Sequence, residues 1–221
     1  MPRITRGLVD GMTYHVLNRG NGKQRVFYEE ADYVAFLGLV SEAQEREDIE
    51  ILAYCLMPNH FHLVVTPAEA DGLSRWMQWL MTSHVRRYHQ HYDSSGHVWQ
   101  GRYKSFIIQD GLHLLTVLRY VEGNPVRASM VRSARDWWWS SHRERLDLRQ
   151  GALVSVPPIE LPKNWGQFVD QPLTDGELGG VRRSVIRQSP YGESDWRMAK
   201  AKELGLESTV RPVGRPRKNS D

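Results

Sequence analysis

The stretch CLMPNHFHLVV, Cys55 to Val65, decides the fold. Its apolar residues alternate as in a strand, and Pro58-Asn59 interrupts them with a dipeptide suited to a tight reversal. Ile49–Leu56 and His60–Thr66 therefore read as the two strands of a hairpin. Alternate residues of a strand share a face, so His60 and His62 project together while Phe61, Leu63 and Val65 project the other way, into a core. Two imidazoles on one face are able to ligate a divalent cation. The same spacing also suits a pair of structurally satisfied histidines, and spacing alone leaves both readings open.

Outward from this hairpin the pattern is regular. Met12–Leu17 alternates and ends in NRGNG, which reads as a first strand and a turn. Asp32–Glu47 carries Tyr33, Phe36, Leu37 and Val40 at helical spacing. Gly72–Tyr92 reads as a long amphipathic helix with Leu73, Trp76, Met77, Leu80, Met81, His84 and Tyr88 on one side. Tyr103–Gln109 reads as a fourth strand, and Leu112–Gly123 as a third helix stopped by NPV. The order βαββαβα predicts an α+β fold: a ferredoxin-like, split βαβ antiparallel sheet with helices packed on it. With about 3.6 residues per turn, Leu114, Leu115, Leu118 and Val121 form the buried stripe of the third helix, and His113, Val117, Tyr120 and Asn124 recur along an adjacent one. Tyr120 and Asn124 are thereby neighbours.

Beyond Val131 the periodicity weakens. WWWSSHRERL is expected to dock back on the core, SDWRMAKAKELGL to form a short basic helix with Gly205 near its C-cap, and RPVGRPRKNSD is too polar and proline-rich to fold alone. The division expected is a domain over residues 1–150 and a basic C-terminal extension over 151–221. The 221 residues are 40% hydrophobic and 25% charged, as in ordinary globular proteins. No apolar run approaches the roughly 20 residues that cross a bilayer. The first residues lack a signal-peptide pattern and Cys55 is the single cysteine, so a cytoplasmic protein without intrachain disulfides is expected. Net charge is +3, yet ten Lys or Arg residues fall between Arg182 and Lys218 against four acidic ones. Such a segment suits a polyanion or is simply a solvated surface.

Three motifs, YHVLNRGNGKQRVF, AYCLMPNHFHLVV and LRYVEGNPVRA, occur in an order and spacing that resemble the single-tyrosine HUH transposases of the IS200-like kind, HUH denoting His-hydrophobic-His. The C-terminal pattern SPYG…W…LGLESTVRPVGRPRK further resembles the REP-associated tyrosine transposase branch, REP being a repetitive extragenic palindrome. The resemblance spans nearly the whole chain. It implies His60 and His62 as metal ligands, Asn124 as the residue completing the metal site, Tyr120 as the nucleophile, and Mg²⁺ or Mn²⁺ as the metal. It also implies cleavage and rejoining of single-stranded, hairpin-containing REP DNA through a 5′-phosphotyrosine, a nucleoid-associated location, no membrane or small-molecule cofactor, and, with the added extension, a monomer. A catalytically vestigial hairpin-binding regulator is the alternative, against which the intact His60, His62, Tyr120 and Asn124 count. Arg3, Arg6, Arg19, Arg86, Arg87, Arg102 and Lys104 are candidate DNA contacts, each equally readable as a solvated cation. Trp99 and Tyr103 could stack an unpaired base, although packing suits Trp99 better. GRPRK resembles an AT-hook core, which would lay Arg215 and Arg217 into an A·T minor groove; a basic tail without such a role is the other reading.

Overall fold

A computed structural model describes residues 7–149 and 153–211. Four strands, β1 (Tyr14–Arg19), β2 (Ile49–Met57), β3 (His60–Pro67) and β4 (Lys104–Ile107), form one sheet in the order β2-β3-β1-β4. All pairings are antiparallel. β2 and β3 are joined through Pro58-Asn59 alone, as the hairpin reading required. β1 begins two residues later than the alternation suggested.

The two sheet faces carry different layers, a direct result of the two-residue period of strands. Tyr14, Val16, Phe61, Leu63 and Val65 face α1 (Glu30–Gln44) and α2 (Gly72–Tyr92), where Phe36, Trp76, Met77 and Leu80 complete one apolar cluster. Val64, Cys55 and Phe106 face α3 (Leu112–Glu122), with Leu114, Val117, Leu118 and Val121 in a second cluster. Val117, Tyr120 and Asn124 of the adjacent stripe are therefore buried too, and His113 is half-buried. Trp99 and Tyr103 are 6% and 7% exposed and belong to the first cluster; Trp99 packs edge-on to Phe61 at 5.3 Å, so packing and not base stacking accounts for it.

NPV does not end the helical run. α3 closes at Gly123, whose N–H donates to Arg119 O, and Asn124–Arg127 then forms a further turn, α4, with Pro125 in its opening turn. Proline at that place lacks a donor the helix would leave unpaired anyway, so Pro125 opens this turn.

The remaining elements are α5 (Ser141–Arg145), α6 (Trp165–Asp170), α7 (Asp175–Arg187), α8 (Ser194–Glu203) and α9 (Glu207–Val210). The segments flanking these helices close both sheet edges, which would otherwise present unpaired backbone groups. On the β2 side, Leu56 N–H donates to Trp139 O (2.9 Å) and Ser155 N–H to Ile51 O (2.8 Å); on the β4 side, Tyr191 N–H donates to Ile107 O and Gln109 N–H to Tyr191 O (both 2.9 Å). Trp139 stacks on Tyr33 at 4.7 Å, so WWWSSHRERL docks on the core as expected. Among the described residues no helix is long and apolar enough to cross a membrane.

Candidate active site

Register places the site. Cys55, His62, Leu17 and Lys104 lie in one row across the four strands, and Met57, His60 and Arg19 in the next. Paired residues share a face, so His60 and His62 turn toward α3, flanked by the exposed cations Arg19 and Lys104. Tyr120 comes down from α3 onto this row. Its ring meets that of His62 at 5.8 Å and near-perpendicular, and it is 9% exposed. The His60 and His62 rings are 5.0 Å apart. Asn124, also 9% exposed, follows Tyr120 by one turn across the Gly123 junction.

Two residues that sequence reasoning missed complete the arrangement. His15 on β1 is fully buried, with Nε2 at 2.8 Å from His62 Nδ1. The rings are 8° from coplanar with centroids 5.0 Å apart, the separation of two rings joined edge to edge through N–H···N rather than stacked face to face. Arg127 of α4 lays its guanidinium 4.1 Å from the centre of the Tyr120 ring and donates to the Tyr120 carbonyl. This clamp holds both the ring and the backbone of Tyr120.

Burial dominates the electrostatics. It holds the His15 imidazole at about 3, assisted by the Arg127 charge, and that of His60 at about 4, assisted by Arg19. His62 is held well below its ordinary value by burial, then by His15, His60 and Arg127. All three rings are thus neutral near pH 7, the form in which imidazole ligates metals. The donor set fits a cation: His60 Nδ1 lies 2.7 Å from Asn59 Oδ1 and His62 Nδ1 is held by His15, and neither Nε2 bonds another described residue. Cys55 is buried in the His62 row, and burial raises its thiol pKa far above the ordinary value.

The other candidate cations are dispersed. Arg86 is exposed on α2. Arg87 reaches Asp32 of α1 at 3.5 Å. Arg102 lines a cavity of about 570 Å³ with Asn18, Met77 and Trp99, on the face opposite His62. Arg3, Arg6, Arg215 and Arg217 lie outside the described residues. A second group able to hold a metal is Glu29, Asp32 and His91, whose ligand atoms lie within 4.8 Å of one another. Glu29 and Asp32 already serve the α1 capping box, and His91 Nε2 lies 3.1 Å from Glu29 Oε1. Burial acts to raise the Asp32 pKa, but hydrogen bonds from Tyr92, the Tyr28 and Glu29 N–H groups and Arg87 leave it below the ordinary range.

A split βαβ sheet that sets a His-X-His pair against a tyrosine of α3 is the arrangement that places this chain among known proteins. The family "Transposase IS200 like" matches residues 8–124. A REP-associated tyrosine transposase of Haemophilus influenzae is 30% identical over 148 residues, covering 61% of this chain and 77% of its own length. One of Escherichia coli K12 is 25% identical over 108 residues, 48% of this chain and 62% of the relative. The solved structure of a REP-associated tyrosine transposase bound to a REP hairpin shares the fold, with a TM-score of 0.55 at 19% identity over 79% of this chain and all of that one. The chain belongs to the IS200-like transposases, as a member of the REP-associated tyrosine transposase family. Family membership and the Glu29, Asp32 and His91 cluster together point to a divalent metal cofactor.

Proposed function

We propose that the chain is a metal-dependent single-stranded DNA endonuclease and strand transferase that cleaves and rejoins REP-type hairpin DNA, with Tyr120 as nucleophile. The observation that carries this reading is the meeting of the Tyr120 ring with His62 at 5.8 Å within one chain. His60 and His62 would hold Mg²⁺ or Mn²⁺ through Nε2, with Asn124 as an oxygen ligand. Bound there, the metal supplies Lewis-acid polarisation and orientation of the scissile phosphate. Imidazole is a less usual partner for Mg²⁺ than oxygen, which gives Asn124 its value.

The chain's own groups do the rest. The phenolic oxygen of Tyr120 bonds to phosphorus as its proton leaves to solvent; the bond from phosphorus to the 3′-oxygen breaks, and that oxygen takes up a proton. The product is a 5′-phosphotyrosine and a free 3′-OH. Another 3′-OH reverses the step without ATP, because the phosphodiester is conserved in the phosphotyrosine. Arg127 keeps the ring in place throughout, and Arg19 and Lys104 offer positive charge beside the histidines for the strand backbone.

The test is Tyr120→Phe, which removes one oxygen and retains the ring that packs on His62 and Arg127. Wild type incubated with Mn²⁺ and a labelled single-stranded hairpin should yield a protein–DNA adduct mapped to the peptide containing YVEGNPVR, whereas Tyr120→Phe should bind the hairpin and form none. An adduct on Tyr120→Phe, or on another tyrosine, refutes the assignment; absence of an adduct from wild type would favour a binding-only role.

A further inference from the structure

The metal-ligating ring of His62 has a partner of its own. His15 reaches it across the β1–β3 pairing, where the register sets His15 opposite Val64 and Leu17 opposite His62, so the two imidazoles meet on a diagonal of the same face. Both are buried, the contact is 2.8 Å, and the rings are nearly coplanar. Phe106 holds the His15 ring edge-on at 4.9 Å. The contact is directed at one nitrogen, Nδ1 of His62.

His60 is supported in the same way at the same atom. Its Nδ1 faces Asn59 Oδ1, an oxygen that only accepts, so Nδ1 carries the hydrogen and Nε2 presents a lone pair. The equivalent state of His62 requires Nδ1–H to donate to His15 Nε2. His15 must then accept, and its own proton sits on Nδ1. That atom is buried and finds no partner among the described residues. In the reverse arrangement His15 Nε2–H donates, His15 Nδ1 is a bare lone pair, and the proton of His62 occupies Nε2, where it blocks ligation. His15 Nδ1 lacks a partner in both arrangements, as a donor in the first and as a lone pair in the second, so that atom does not decide between them. A cation at His62 Nε2 selects the first.

We infer that His15 is a positioning residue for the metal site: by accepting from His62 Nδ1 it fixes the ring and the tautomer that turn His62 Nε2 toward the cation. This rests on the metal site proposed above. It assigns His15 no contact with the metal, because Nε2 is taken up by His62 and Nδ1 is enclosed.

The experiment reads metal binding and tautomer without DNA cleavage. Mn²⁺ affinity is measured by electron paramagnetic resonance of the free ion, for the site that His62→Ala removes. His15→Leu, which fills the space but cannot accept, should weaken that site roughly 10–100-fold, the range seen when an outer partner of a metal ligand is lost. His15→Gln places a neutral acceptor at similar reach and should recover most of the affinity. Long-range ¹H–¹⁵N correlation of the imidazoles in wild-type protein saturated with Mg²⁺ should show His15 and His62 both protonated at Nδ1; this measurement stands even where His15→Leu fails to fold. Undiminished Mn²⁺ affinity in folded His15→Leu, or His15 protonated at Nε2 with metal bound, overturns the inference alone. Wild type without a His62-dependent site overturns the metal site and the inference with it.

Discussion

Glu122, two residues beyond Tyr120, is wholly buried and accepts four hydrogen bonds: Ser141 Oγ (2.8 Å) and Arg145 Nε (3.0 Å) on Oε1, His142 Nδ1 (2.8 Å) and Trp165 Nε1 (2.7 Å) on Oε2. Burial alone would raise its pKa, but the hydrogen bond from His142, the Arg145 charge and the bond from Ser141 hold it at about 2. The perturbation is Glu122→Gln. It keeps the shape, removes the charge, and turns one acceptor oxygen into a donor facing two donors. Breaking one partner of a buried charged network costs about 3–5 kcal/mol. The pKa gives an independent figure: a carboxyl at about 2 instead of its ordinary 4.5 contributes about 3 kcal/mol through linkage. The two agree. For a chain of this size about 2–4 °C is lost per kcal/mol, so the melting temperature at pH 7 should fall by roughly 10 °C.

The same residue fixes a pH window. A carboxyl whose folded pKa lies below its unfolded value contributes fully above the unfolded pKa, near 4.5, and its contribution fades as pH falls toward about 2. Thermal melts followed by circular dichroism from pH 7 to pH 2 should show wild type losing this increment in that window and Glu122→Gln lacking it. A variant melting within about 2 °C of wild type at pH 7, with the same acid profile, would refute the claim that Glu122 is ionised and anchors the end of α3.

A β-carbon on Gly123 would meet Arg119 O at 3.0 Å, Val169 O at 3.1 Å and Arg127 Nη1 at 3.3 Å; Gly123→Ala should cost about 1–3 kcal/mol by overpacking, offset by up to about 1 kcal/mol of helix propensity, and calorimetry checks whether the melting point drops by a few degrees. Arg19→Ala and Lys104→Ala, both exposed beside the histidines, should each lower the salt slope of hairpin binding by about 1 if each meets a phosphate, measured by fluorescence anisotropy against salt concentration; an unchanged slope removes that residue from the DNA contact.

The sheet and the histidine pair were legible because their signals are local. A two-residue alternation around Pro58-Asn59 dictates the hairpin, and it alone divides Phe61, Leu63 and Val65 from His60 and His62. The helix carrying Tyr120 was equally visible from its period. His15 was not, because a single histidine in the alternation of YHVL acquires meaning only from the register of β1 against β3, and register is a non-local property. Arg127 escaped for a different reason: NPV was read only as a stop, although the proline also permits the turn that returns Arg127 over Tyr120. Arg87 stands among the candidate DNA contacts because its partner Asp32, 55 residues earlier, is brought near by helix packing alone.

These non-local pieces bear on how Tyr120 is held over its own sheet. α3 contacts β2 and β3 through its apolar stripe, but an apolar stripe permits sliding and does not set the rotation of Tyr120 toward His62. Directional bonds do. Arg119 donates to Gln171 O (2.9 Å) and Pro172 O (3.0 Å), Glu122 gathers Ser141, His142, Arg145 and Trp165, and Gly123 lets the Val169 carbonyl approach as closely as a missing side chain allows. Every one of these partners lies C-terminal to the matched family region of residues 8–124. The segment from Ser141 to Pro172 thus supplies what the sheet cannot, an anchor at the end of α3 that keeps Tyr120 against the histidines of the same chain. Loosening that anchor should therefore disturb the tyrosine's approach to His62 before it disturbs the sheet on which the histidines stand.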